Sequence, residues 1–233
     1  GAGVAEIASE FASTPAAVRT TLRQVQIHRW TNPAIEWVHN ELFDAPNADE
    51  IILEAPAPPA TKVPAPRVPS DLPQYLRSLY MTPLLSAEEE QDAFRRYNYL
   101  KFKASKLLKA AGDSVVSDKV FGRVAELMKE VETIRRRIIK ANLRLVVSVA
   151  KKHVGWSPNF FETISDGNMS LMRAVEKFDY SRGFKFSTYA TWAVMKNYAR
   201  SVPVRHYHAT RYVTGQEDLL QATADERQEE IHA

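Results

Sequence analysis

The chain has 233 residues, 45% of them hydrophobic, with a formal net charge of +3 and no cysteine. That apolar fraction can close one sizeable core and a smaller one, while the missing thiols exclude a disulfide framework, a thiolate nucleophile and a cysteine-ligated zinc. No apolar run approaches the about 20 residues a bilayer-spanning helix needs, and the start lacks a basic segment followed by an apolar one, so the chain reads as cytoplasmic with no membrane partner.

From the N-terminus, Val4 to Phe11 and Ala16 to Arg29 read as two short helices split by Ser13-Thr14-Pro15, whose hydroxyls can cap the second. Val18, Leu22 and Val25 fall on one face, and Arg19, Arg23 and Arg29 are placed to meet phosphate, so a helix-turn-helix is one reading and a helical hairpin with solvated arginines the other. Residues 30 to 54, with Trp30, Ile35, Trp37, Val38, Leu42 and Phe43, carry enough apolar mass to complete a small unit. Residues 55–70 hold six of the thirteen prolines and read as an extended, semi-stiff linker.

Downstream the pattern is helical throughout. Asp71 to Leu79 reads as a short amphipathic helix and Pro83-Leu84-Leu85 as a break, after which Ser86-Ala-Glu-Glu89 forms a capping box that opens a helix to about Ala111. A second long helix, about Ser117 to Val154, carries a broad apolar stripe from Val120 to Val149, with a break expected near Glu132. The next helix, Phe160 to Phe178, is expected to turn Glu162, Ser165, Asp166 and Arg173 outward and Phe161, Ile164, Leu171 and Met172 inward. The Asp166-Gly-Asn168 run lacks the ligand series of a calcium loop, and His206 and His208 lack partners, so no metal and no cofactor is expected. Carboxylate or histidine clusters suited to an enzyme are not found either. The fold class is all-α, a helical bundle behind a small N-terminal unit and a linker.

Charge is unevenly spread. Residues 135–152 hold seven Lys/Arg and no acid, whereas 216–233 hold six acids and one arginine. Between them, residues 178–200 crowd seven aromatics together with Arg182, Lys185, Lys196 and Arg200. Cations find phosphates whatever the base sequence and aromatic faces give unpaired bases a stacking surface, so this stretch suits single-stranded or opening nucleic acid. Arg182-Gly183 reads as a turn, and Ser187 or Thr188 can cap a helix to about Arg200 that places Tyr189, Trp192 and Lys196 on one face. Such a stripe is more often core than interface, and periodicity alone does not choose between the two.

Gly183-Phe-Lys-Phe-Ser-Thr-Tyr-Ala-Thr-Trp192 resembles the minus-ten-reading segment of bacterial RNA polymerase sigma factors of the sigma-seventy family. Residues 141–152 are similar to the helix that opens the family's region 2, residues 160–178 to its polymerase-gripping helix, and residues 74–90 to its region 1.2. The resemblance implies a sigma domain 2-like bundle over 71–212, with 1–54 a helical unit, 55–70 a linker, and 213–233 an acidic tail or a linker toward a further domain. It implies that Tyr189 takes the place of the flipped minus-ten adenine, with Phe178, Asp179 and Arg182 lining the pocket that receives that base. Asn142, Ser187, Thr191, Leu84 and Glu90 resemble a second pocket, for the element's last thymine. Phe184, Lys185 and Trp192 match positions that hold the separating strands, Tyr75, Leu76 and Arg77 those near the discriminator, and Lys196, Ala199 and Arg200 the upstream edge.

Glu162, Ser165, Asp166, Asn168 and Met172 match the surface that docks on the polymerase clamp helices. The implied partners are core RNA polymerase, the non-template strand of promoter DNA and, as a regulator, an anti-sigma factor. Three departures from the family pattern, Ala193 for its second Trp, Lys196 and Ala199 for its Gln and Thr, and Ser165-Asp166 for its Gln-Glu pair, imply an alternative rather than a principal sigma factor. A stand-alone helix-turn-helix regulator using residues 4 to 29 is the competing reading.

Overall fold

The computed structural model describes residues 3–56, 58, 73–112, 116–154 and 159–200, with Gln74 and Tyr75 as backbone only. The expected polyproline linker, the basic stretch after Pro203 with His206 and His208, and the acidic tail lie largely or wholly outside these residues. Every named element among them is helical: α1 (Val4–Glu10), α2 (Pro15–Thr31), α3 (Gln74–Tyr80), α4 (Ala87–Ala111), α5 (Asp118–Val154), α6 (Phe160–Lys177) and α7 (186–200). By contact the chain divides into two compact units, Gly1–Ala141 with Glu176–Lys185, and Asn142–Val175 with Phe186–Ala233.

In the first unit, local chemistry sets the helix ends. Thr14 Oγ1 accepts the Ala17 amide at 3.2 Å and Pro15 occupies the first turn of α2, where its missing N–H costs nothing. Ser86 and Glu89 exchange bonds, Glu89 N–H to Ser86 Oγ at 3.1 Å and Ser86 N–H to Glu89 Oε2 at 2.9 Å, so the expected capping box starts α4. α5 runs without the expected break, because Glu132 accepts one bond each from Arg136 (2.9 Å) and Arg135 (3.3 Å) along the helix and no Gly or Pro interrupts that turn.

Phe94, Tyr97, Leu100 and Ala104 of α4 and Val124, Leu127, Val131 and Ile138 of α5 are buried, as are Phe178 and Tyr180. A charged group sits among them: Lys101, 5% exposed, donates to Glu176 at 3.0 Å, which Arg135 also meets at 3.0 Å. Burial alone raises the Glu176 carboxyl, but Lys101, Tyr97 and Arg135 outweigh it and hold it below the usual range.

Residues 30–54, expected to complete the small N-terminal unit, place Trp37, Phe43 and Ile52 on α4. Phe43 and Ile52 share a cluster with Tyr99, with Trp37 and Phe102 packed against it. The Val38 amide donates to the buried Asn98 side chain at 2.8 Å, and Arg96 donates to the Leu53 and Ala55 carbonyls. Asp49 accepts from Lys103 and from the Tyr99 hydroxyl, both on α4. Backbone carbonyls with no helical partner thus find theirs on α4, which is why the segment holds its irregular path.

The second unit is built from the end of α5, α6 and α7. Val146 and Ala150, then Phe160 and Leu171, then Phe186, Ala190, Val194 and Tyr198 are buried. Their close approach falls at Gly167, where an added Cβ would lie 2.1 Å from Tyr198 Oη and 2.5 Å from Val146 Cγ1. The Asp166-Gly-Asn168 run is thus a packing contact inside α6 rather than a loop.

Candidate nucleic-acid interface

The turn between α6 and α7 belongs to the first unit and is built by Asp179. Its carboxylate accepts the Ser181 amide (3.0 Å), the Ser181 hydroxyl (2.6 Å) and Arg182 Nε (3.0 Å), which caps the single turn Tyr180–Arg182. These bonds, Ser181's first, hold the Asp179 carboxyl below the usual range despite some burial. Gly183 at φ 72° then reverses the chain, a conformation only glycine adopts freely. Asp179 therefore positions the exposed Arg182. Phe178, expected in a base pocket, is buried with its ring 4.9 Å from Phe94, and burial pushes the Tyr180 phenol up to about 12.

A cavity of about 110 Å³ opens beside these rings, lined by Glu90, Gln91, Phe94, Phe178, Phe184 and Lys185 among others. It joins members of the three groups kept apart above: Phe178 of the adenine pocket, Glu90 of the thymine pocket, and Phe184 and Lys185 of the strand-holding group. Gln91 went unnoticed in the sequence, since its partners lie about ninety residues away along the chain. Leu84 is half-buried and does not line the cavity. Leu76, expected near the discriminator, is 4% exposed, so the apolar face of α3 is used for packing and Arg77 is the member of that trio shown to face solvent. The Tyr75 side chain lies outside the described residues.

In the second unit α7 separates two faces cleanly. It begins at 186, ahead of the capping hydroxyls expected at Ser187 or Thr188. Phe186, Ala190, Val194 and Tyr198 recur every four residues and are buried, whereas Trp192 is 58% exposed and Lys196, Ala199 and Arg200 face solvent. Tyr189 is half-buried, its ring centroid 6.5 Å from that of Trp192, and Lys196 Nζ lies 4.7 Å from the Trp192 ring. The stripe read as either core or interface is therefore an outer face. Thr191 donates its hydroxyl to the Ser187 carbonyl at 2.7 Å, and Asn142, expected to meet a thymine, is 7% exposed at the α5 segment of this unit.

On α6 the buried arc is Phe160, Thr163, Gly167, Leu171 and Ala174, spaced at three and four. Phe161 is one position off this arc and 51% exposed, which corrects the inward orientation expected of it. Glu162 and Ser165 are exposed, and Asp166, Asn168 and Met172 are half-buried. Phe161 and the exposed Met169 put two large apolar side chains on the outer side of α6 beside Glu162 and Ser165.

Residues 138–203 match the Sigma-70 region 2 family model. The chain is 38% identical over 128 residues to an RNA polymerase sigma factor SigA from Bacillus sp, a stretch that covers 55% of this chain and 26% of that protein. It is 37% identical over 145 residues to the RNA polymerase principal sigma factor HrdC of Streptomyces coelicolor, covering 61% of this chain and 42% of that one. The matches thus span less than half the length of either relative. Residues 138–203, from the end of α5 through α7, thus carry a Sigma-70 region 2, and over 55–61% of its length the chain is similar to RNA polymerase sigma factors.

Proposed function

We propose that the chain is a transcription initiation factor that grips core RNA polymerase with the outer face of α6 and captures unstacked non-template bases of a minus-ten element with α7 and the 178–185 turn. The observation that supports this reading is the outer face of α7, where Trp192 and Tyr189 stand beside Lys196 and Arg200 while the opposite face is fully buried. Aromatic rings offer every base a stacking surface, and the exposed Arg200 is placed to take up a phosphate of an opening strand. The cavity beside Phe178 and Glu90 gives a base turned out of the stack somewhere to lodge, with Lys185 at its wall. No step of this function makes or breaks a covalent bond. Binding to the closed and open forms of DNA differs in free energy, and that difference drives the opening.

Tyr189 tests the reading. Base stacking on an aromatic is worth about 1–3 kcal/mol, comparable with the cost of unstacking one base, so a single ring decides whether opening proceeds. Tyr189→Ala is expected to leave binding to core polymerase intact, to weaken binding of a minus-ten single strand by the fold-change those energies imply, and to block melting, while Tyr189→Phe retains most of both. Fluorescence of a base analogue at the flipped position, read beside thermal melts, checks it. A destabilised fold with normal opening would make Tyr189 a packing residue and overturn the assignment.

A further inference from the structure

Neither the region 2 match nor the base-capturing face accounts for α2, yet α2 forms one wall of a wide groove on the first unit. A groove of about 1050 Å³ runs between α2 and the first turns of α5, its floor formed by Leu22, Trp30, Phe121, Ala125 and Met128. Trp30 packs on Phe121 with ring centroids 5.5 Å apart, and Arg23 lies over Phe121 while bonding Asp118 and the Val116 carbonyl. These contacts fix both walls. They also cancel the charges of Arg23 and Asp118, so the remaining charged lining residues are Arg19 and Lys129, neither paired with a carboxylate among the described residues.

We propose that this groove docks an amphipathic helix of a protein partner, with an apolar stripe seated on Leu22 and Met128 and acidic side chains along the edges held by Arg19 and Lys129. Three features narrow the occupant to this class. Both walls are helices that keep their backbone groups to themselves, so an extended peptide would leave its own amides unpaired on an apolar floor, whereas a helix satisfies them internally. The floor is concave and apolar, which phosphates of a duplex do not fill, and the cations stand only at the edge. A two-fold dimer across this face would set Arg19 and Lys129 against their own copies, which like charges oppose. Leu22, left 47% exposed by the fold itself, is the apolar surface that such a helix would cover.

The full chain and a labelled, stapled helical peptide with leucines on one stripe and glutamates flanking it make the test, read by fluorescence anisotropy. The Glu-flanked peptide is expected to bind about tenfold more tightly than the same peptide with lysines in place of the glutamates. Reversing Arg19 and Lys129 together, Arg19→Glu with Lys129→Glu, is expected to invert that preference. Leu22→Asp, at an exposed site that tolerates charge, is expected to abolish binding of the Glu-flanked peptide without lowering the melting temperature. Equal binding of the two peptides, binding of neither, displacement by duplex DNA, or a dimer of the chain dissolved by Leu22→Asp would each overturn the proposal.

Discussion

Helices α2 and α7 look alike in sequence, each carrying a tryptophan, a tyrosine or threonine edge and several cations, and each was open to a nucleic-acid reading. In the structure they part company. Trp30 of α2 is 7% exposed against Phe121, and Arg23 is bound by Asp118 and the Val116 carbonyl. Trp192 of α7 is 58% exposed, and Lys196 rests on its ring with no carboxylate bonded to it among the described residues. The chemistry of an aromatic beside a cation is the same in both. What differs is whether another part of the chain supplies the counter-charge and the apolar cover, and that decides between packing and binding. Arg23, central to the stand-alone helix-turn-helix reading, already holds Asp118 and the Val116 carbonyl, so a phosphate would have to share its guanidinium with them.

The largest effect expected from this contrast is in stability. Trp30→Ala removes a buried indole and leaves a cavity against Phe121, at a cost of about 3–5 kcal/mol. Trp192→Ala removes an exposed ring and is expected to leave the melting temperature within experimental scatter, yet to weaken single-strand binding by about 1–3 kcal/mol. Thermal melts and titrations of both variants, run side by side, check the pair. Equal loss of stability in the two would mean that α7 is packed by its outer face after all.

A smaller effect is expected at Arg23. Asp118 is exposed, so Arg23→Ala leaves a solvated carboxylate behind and loses mainly the bond to the Val116 carbonyl and the contact with Phe121, about 1–2 kcal/mol. Duplex binding by the full chain should not change, and its salt dependence should keep the same slope. A slope flatter by one phosphate contact in the variant would return Arg23 to the DNA and restore the helix-turn-helix reading.

Why the two helices could not be told apart beforehand follows from where their partners lie. The spacing of apolar residues on α4 and α5, the capping box at Ser86 and the turn at Gly183 are local signals, and each gave its element. Asp118 stands 95 residues from Arg23, and no local pattern marks that pairing. The same limit hid the cavity that joins Glu90 to Phe178, and it hid the use of residues 30–54, whose carbonyls are taken up by Arg96. Phe161 was misread for a different reason: a helical stripe of Phe160 and Phe161 together has two possible inward positions, and which one faces in depends on the exact first turn of α6. Leu76, matched to a position near the discriminator, is 4% exposed, the plainer use of its apolar side chain.

The smallest expected effect sharpens the comparison on α7 itself. Two uses are open to Lys196: a phosphate or base contact through its ammonium, or a cap over one face of Trp192 that fixes the indole so that its other face meets a base. The 4.7 Å separation favours the cap, which at an exposed site is worth about 0.5–1 kcal/mol. Lys196→Met keeps the aliphatic stem and removes the charge, so it is expected to weaken single-strand binding by about that amount, while Lys196→Arg retains it. The two uses separate in a double-mutant cycle with Trp192→Ala. If Lys196 acts through the indole, its substitution has no further effect once the ring is gone, and the salt slope of the Lys196→Met variant stays close to that of the parent chain. If Lys196 acts on phosphate, the two losses add and the slope falls by about 0.7, the value for one contact to a single strand. The cap predicts the first outcome, and additive losses would sink it.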